Sequence, residues 1–135
     1  MKMTLELALK MIKKAEEKAQ SINVPQIIAV VDAGGNLVAQ HRMDGAILAS
    51  IDISFKKAYT AVATKTPSHL LGAAAQVGGP LFGLNTTNNG KIVIFGGGYP
   101  VSDENGQVIG AIGVSGGSVE EDMACAEAGL AAIKS

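Results

Sequence analysis

Tryptophan is absent, cysteine occurs once and aromatic residues make up only 4% of this 135-residue chain. A binder of single-stranded nucleic acid would lack its stacking platforms on such a composition. Eleven basic side chains stand against twelve acidic ones, a formal net charge of −1. That balance offers no footprint to a polyanion or an acidic lipid surface, so neither nucleic acid nor membrane is an expected partner. The lone Cys125 excludes an intrachain disulfide and suits a reducing compartment. No apolar run reaches the length of a membrane span, and Met1–Thr4 leads into no signal-peptide core. A soluble, cytoplasmic domain is expected. Two widely spaced histidines and one cysteine cannot close a tetrahedral zinc site. No Gly-x-x-x-x-Gly-Lys-Ser/Thr phosphate loop occurs. Gly113-Val-Ser-Gly-Gly117 matches the nucleophile-elbow pattern literally, but no histidine follows Ser115, which argues against a hydrolase triad.

The composition that remains is 47% apolar and 17% charged, that of one somewhat greasy globular domain spanning residues 1–135. Thr4 caps a helix whose Leu5, Ala8, Leu9, Ile12, Ala15, Ala19 and Ile22 follow i, i+3, i+4 spacing. Ile27 to Val31 is a short β-branched run, read as a strand covered on both faces. Asp32-Ala-Gly-Gly-Asn36 is turn chemistry, and Leu37 to Met43 returns as a second strand. Ala46 to Thr64 is helical, with Ile47, Ile51, Phe55, Ala58 and Val62 on its apolar stripe. Thr66-Pro67 opens a further short helix, with His69 in a loose surface role in its first turn. Val77 to Gly90 is a long polar, glycine-rich loop. Lys91–Phe95, Tyr99–Ser102 and Gln107–Val114 are read as three more strands. Ser118 with Glu121 forms a capping box for the last helix, whose expected buried stripe is Val119, Met123, Ala126, Leu130 and Ile133.

This order predicts an α+β fold with a five-stranded antiparallel sheet and flanking helices. Asp32-x-x-Gly35 and Asp103-x-x-Gly106 echo each other, and both read as the same turn between adjacent strands. Glycine falls on both faces of the strand ending at Val114, leaving room for a planar ligand or a closely docked helix.

The chemistry-bearing segment is His41-Arg-Met-Asp-Gly-Ala46. By pleat His41 and Met43 share one face and Arg42 lies opposite. His and Met are side chains that ligate haem iron, and Arg pairs with propionates. The plainer readings are a strand histidine, a core methionine, a surface arginine and, for Asp44, a turn former.

Several segments carry a family resemblance: Ile28-Ala-Val-Val-Asp-Ala-Gly-Gly-Asn-Leu-Val38, Arg42-Met-Asp-Gly-Ala46, Lys56-Lys-Ala-Tyr-Thr-Ala61, Gly96-Gly-Gly-Tyr-Pro-Val101 and Val108-Ile-Gly-Ala-Ile-Gly-Val-Ser-Gly116. On these the chain resembles the GlcG/HbpS family, which also includes the C-terminal domain of PduO and is described as haem-binding or haem-degrading. The resemblance implies a profilin-like fold, a homo-oligomer that is often an octamer, and haem as a possible cofactor. It also implies an iron ligand on the first helix, where Thr4 to Ser21 contains no histidine. The expected function is a small, non-enzymatic tetrapyrrole-binding or sensing accessory protein. Expected ligand contacts are Arg42, Asp44, Lys57 and the loop Gly96, Gly97 and Gly98, with His41 and Met43 as axial metal ligands. The alternatives are an enzyme or binding protein for a small hydroxy- or oxo-acid, held by Lys57 and Arg42, and a purely structural oligomer.

Overall fold

Five of the six residues of strand β1 (Ile27–Asp32) are fully buried, which a continuous apolar run achieves only in a sheet covered on both sides. The computed structural model, which describes residues 1–134, supplies both covers. Strand β2 (Leu37–Arg42), helix α2 (Ala49–Thr64), helix α3 (Ser68–Ala74), strand β3 (Gly98–Ser102) and strand β4 (Val108–Ser115) follow. Helices α1 (Leu5–Ser21) and α4 (Val119–Ala131) begin and end the order. The sheet is antiparallel throughout, in the order β2-β1-β4-β3. On one face Ile28, Val30, Ile112 and Val114 meet Met11, Ile12 and Ala15 of α1 and Cys125 and Ala126 of α4. On the other, Val31 and Ala111 meet Ala58, Ala61 and Val62 of α2.

The sheet has four strands among the described residues, not five. Lys91–Phe95, expected as a strand, pairs with none. The Val93 N–H donates instead to the Thr60 hydroxyl on α2, at 2.8 Å. Gly72 of α3 sits against the Ile94 carbonyl, so close that a Cβ there would overlap it. Held between two helices, the segment has no ladder to join.

Both hairpins use one solution. Asp32 Oδ1 accepts the N–H groups of Gly34 and Asn36; Asp103 Oδ1 accepts those of Asn105 and Gln107. Gly35 and Gly106 both take φ +79°, a left-handed value that glycine adopts without strain. The capping box also forms as expected, with the Glu121 N–H on Ser118 Oγ and the Ser118 N–H on Glu121 Oε1.

Helix faces depart from the apolar pattern. In α2 the large residues look outward: Ile47 just before it is 58% exposed and Ile51 37%. Its buried residues are Ser50, Ser54, Lys57, Ala58, Thr60, Ala61 and Val62, so of the expected stripe Ala58 and Val62 lie inside. The row of the sheet beneath is Gln40, Ala29, Gly113 and Gly98, small at its centre. A Cβ on Gly113 would overlap the Ser54 carbonyl, so only a small-residue face docks there. On the α4 side the expected Ala126, Met123, Leu130 and Ile133 do pack on the core, joined by the buried Asp122, Cys125 and Gly129, and only Val119 departs, being exposed. In α1, Leu5 and Leu9 are exposed and Met11 takes the interior place.

The two sheet edges differ. On β3 the Gly98 N–H donates to Ser68 Oγ at 2.9 Å, and Pro100, next on the same side, has no N–H. Edge β2 carries neither device.

Tyr99 ties β3 to α4, its hydroxyl donating to Glu127 Oε2 at 2.7 Å. Burial first, then Glu127, raises its pKa far above the usual 10.0. A phenol with a raised folded pKa contributes stability that is whole below the unfolded value and lost above it. The advantage of wild type over Tyr99→Phe should therefore be constant at neutral pH and shrink from about pH 10 upward, as denaturant midpoints will show. Gly113→Ala should cost about 3 kcal/mol or more, the upper end of overpacking, because its neighbours are backbone atoms.

Candidate functional site

Lys57, expected on a ligand, is one of the most deeply buried side chains, 1% exposed. The stripe that buries it runs Ser50, Ser54, Lys57, one turn apart on the face of α2 that meets the sheet. Its Nζ donates to Asp122 Oδ2 and to the Val114 carbonyl, each at 2.8 Å. The Phe95 ring lies over it, with its centroid 5.3 Å away. Asp122 stands in the first turn of α4, where the helix dipole favours a carboxylate, and its Oδ1 accepts the Gly117 N–H at 2.9 Å. Burial pulls the Lys57 ammonium below its usual pKa, and the hydrogen bond and charge of Asp122 act the other way. Helices α2 and α4 cover opposite faces of the sheet. The pair joins them.

The three consecutive glycines mark the crossing. A Cβ on Gly96 would press on Met123 Sδ of α4; one on Gly97 would lie 2.7 Å from Lys57 Nζ; one on Gly98 would strike the Lys57 carbonyl. Gly97 also needs φ +128°, in the region that favours glycine. So the structure does bring Lys57 together with Gly96, Gly97 and Gly98, but against each other rather than around a cavity. Ser115, the serine of the elbow-like motif, has its Oγ 2.8 Å from Ser50 Oγ in the same buried layer. An acid-binding role for Lys57 with Arg42 has no open ammonium to use.

The segment from His41 to Asp44 lies elsewhere. His41, paired with Ile28 in the ladder, faces α1, and Arg42, paired with Ile27, faces the α2 side. His41 Nδ1 is 3.2 Å from Glu16 Oε2 on α1. An ionised carboxylate only accepts, so Nδ1 is the donor of this bond and Nε2 is the ring nitrogen left for another partner. Nε2 has no partner among the described residues. A carboxylate behind an imidazole is the arrangement that orients metal-ligating histidines and raises their basicity. Met43 is partly buried against the core, and its Sδ takes the Gln26 N–H at 3.4 Å. Beside it a cavity of about 240 Å³ opens between the end of α1 and Pro25. That is below the usual range for a drug-sized ligand and takes only the edge of a larger one. Asp44 is exposed in the turn that ends β2. Among the described residues no cluster of three or more His, Cys, Asp or Glu is placed to hold a metal ion.

The sequence reading missed Asp122 and Glu16. Asp122 is one of three acids in the first turn of α4, and Glu16 sits on a helix rich in lysine, so neither stands out locally. The signal for Asp122 was the small-residue spacing of α2, which places Lys57 inside and so demands an internal anion. His69, expected at the surface, is half-buried with its ring centroid 5.6 Å from that of Tyr99 and its Nδ1 unpartnered. Lys57→Met alone should destabilise the chain by about 3–5 kcal/mol, because it strands a buried carboxylate. Adding Asp122→Leu should restore much of that loss in urea denaturation; a double variant no better than the single would sink the ion-pair account.

Known proteins align with this chain over most of its length. An uncharacterised 15.0 kDa protein of Citrobacter freundii is 52% identical over 127 residues, 94% of this chain and 89% of that protein. The crystal structure of ORFY from Klebsiella pneumoniae is 46% identical with a TM-score of 0.95, covering 98% of this chain and 91% of that one. The crystal structure of a PduOC:heme complex is 41% identical with a TM-score of 0.93, covering 98% and 95%. The sequence model of haem-degrading HbpS-like proteins matches residues 3–131. A match over that span, with relatives this similar along nearly their whole lengths, places the chain in the HbpS-like family.

Proposed function

We propose that this chain is a small cytoplasmic haem- or tetrapyrrole-binding accessory or sensing protein, working as a homo-oligomer and holding its ligand without turnover. The observation that carries this reading is the Glu16–His41 pair on the outer side of α1 and β2. His41 is 47% exposed, so a flat macrocycle reaches Nε2 without any rearrangement of the core. The similar PduOC structure, a haem complex, supports the choice of ligand. Haem would bring its own iron; the protein's part is to orient one imidazole and shield one face of the ring. Met43 serves that role from the core side, as an apolar wall. Lys57 and the Gly96–Gly98 loop act through the fold, since the ammonium is already satisfied.

Titration of the purified protein with haemin tests this. A Soret shift saturating at micromolar haemin is expected, lost in His41→Ala and weakened severalfold in Glu16→Gln. No shift, or one unchanged in His41→Ala, overturns the assignment.

A further inference from the structure

The open edge of the sheet and the outward face of α2 form one surface. A cavity of about 450 Å³ lies there, walled by Leu37, Leu48, Ile51 and Phe55 with Gln40 and Asp52. Leu48 is 72% exposed and Leu37 51%, large apolar groups that a monomer would normally cover. Beside them runs β2, whose first four residues, Leu37-Val-Ala-Gln40, contain no charge and no proline. A bulge at Val38 interrupts the start of this edge, and from Ala39 to Arg42 the regular outward main chain is a template for another strand.

From these we propose that β2 pairs antiparallel with β2 of a second copy about a two-fold axis at Gln40. This deepens the homo-oligomer of the preceding reading by naming its surface, and it is independent of the ligand. Three observations select a second copy over another strand. First, the Met43 N–H turns inward to the Gln26 carbonyl, so the main chains of Arg42 and Gln40, one and three residues earlier, turn to the open side. Centring on Gln40 then matches outward-facing groups on both strands. Second, this register aligns the side-chain faces at the axis, where Gln40 opposes Gln40 on the α2 side, and the bulge at Val38 turns that side chain to the α1 side. The apolar walls of both copies come to the same side of one continuous eight-stranded sheet.

Third, the charges complement. Arg42 is exposed on the α2 side and has no hydrogen bond or ion pair among the described residues. Across the axis it comes beside Leu37 and Gln40 of the second copy, the strand residues of the cavity that Asp52 also lines. Asp52 is 65% exposed and held by Lys56 alone, at 3.1 Å through Oδ1. The two-fold makes the Arg42–Asp52 pair twice.

Sedimentation equilibrium of wild type, Arg42→Asp, Asp52→Arg and the double swap tests the surface. Wild type is expected to associate, each single variant to weaken the β2 contact tenfold or more, and the double swap to restore it. Circular dichroism should stay unchanged, since both residues are exposed. A monomeric wild type at about 100 μM overturns both this surface and the homo-oligomer. If wild type associates but the single variants associate equally well, or the swap fails to restore, this surface alone is overturned. A monomer that takes up an apolar dye such as anilinonaphthalene sulfonate, with the signal lost in Leu48→Glu, assigns the cavity to a small apolar ligand instead.

Discussion

The Lys57–Asp122 ion pair constrains the rest of the architecture. Two helices that lie on opposite faces of a sheet have no direct contact through which to set their relative position. A charge reaching from α2 past the end of β4, at Val114, to the first turn of α4 supplies one. Such a pair is costly to desolvate and stays only where every remaining donor and acceptor finds a partner. Val114, Gly117 and the Phe95 ring provide those partners. The glycines at 96, 97 and 98 leave the space that the lysine stem and the two helices occupy. One polar contact thus accounts for a glycine run, a helix start and a buried stripe of serines.

The same constraint explains why the first half of α2 departs from its apolar pattern, while Ala58 and Val62 keep their expected places in the core. A helix docked against glycine has to present small residues, so Ile51 and the preceding Ile47 are displaced toward solvent and Phe55 stays partly buried at the margin of the core. Function then follows from what is left outside. The α1 face carries an oriented imidazole, and the α2 face carries a greasy seam beside an open strand. Neither competes with the interior charge, which is committed to holding the layers.

What the sequence disclosed was local. The hairpin turns were legible because Asp-x-x-Gly closes its own hydrogen bonds within five residues. The capping box was legible for the same reason, and β1 because an unbroken β-branched run admits few alternatives. Lys91–Phe95 misled, since Ile92-Val-Ile94 has strand composition and only tertiary context takes away its partner. Lys57 misled more deeply. A lysine next to another lysine reads as solvated, yet Lys56 pairs outward with Asp52 while Lys57 turns in. Glu16 and His41 are 25 residues apart, and nothing short of the packed α1–β2 layer brings them together.

The unequal edges of the sheet carry a consequence for growth. On β3, Ser68 takes one outward amide and Pro100 lacks the next, so strand addition on that side has few hydrogen bonds to form. A sheet able to extend in only one direction can be joined once through its strands, and then both free ends are the blunted ones. Strand pairing through β2, where it forms, therefore ends at two chains instead of running on into a fibril. A chain rich in small and apolar residues keeps a sticky strand without the hazard of open-ended polymerisation.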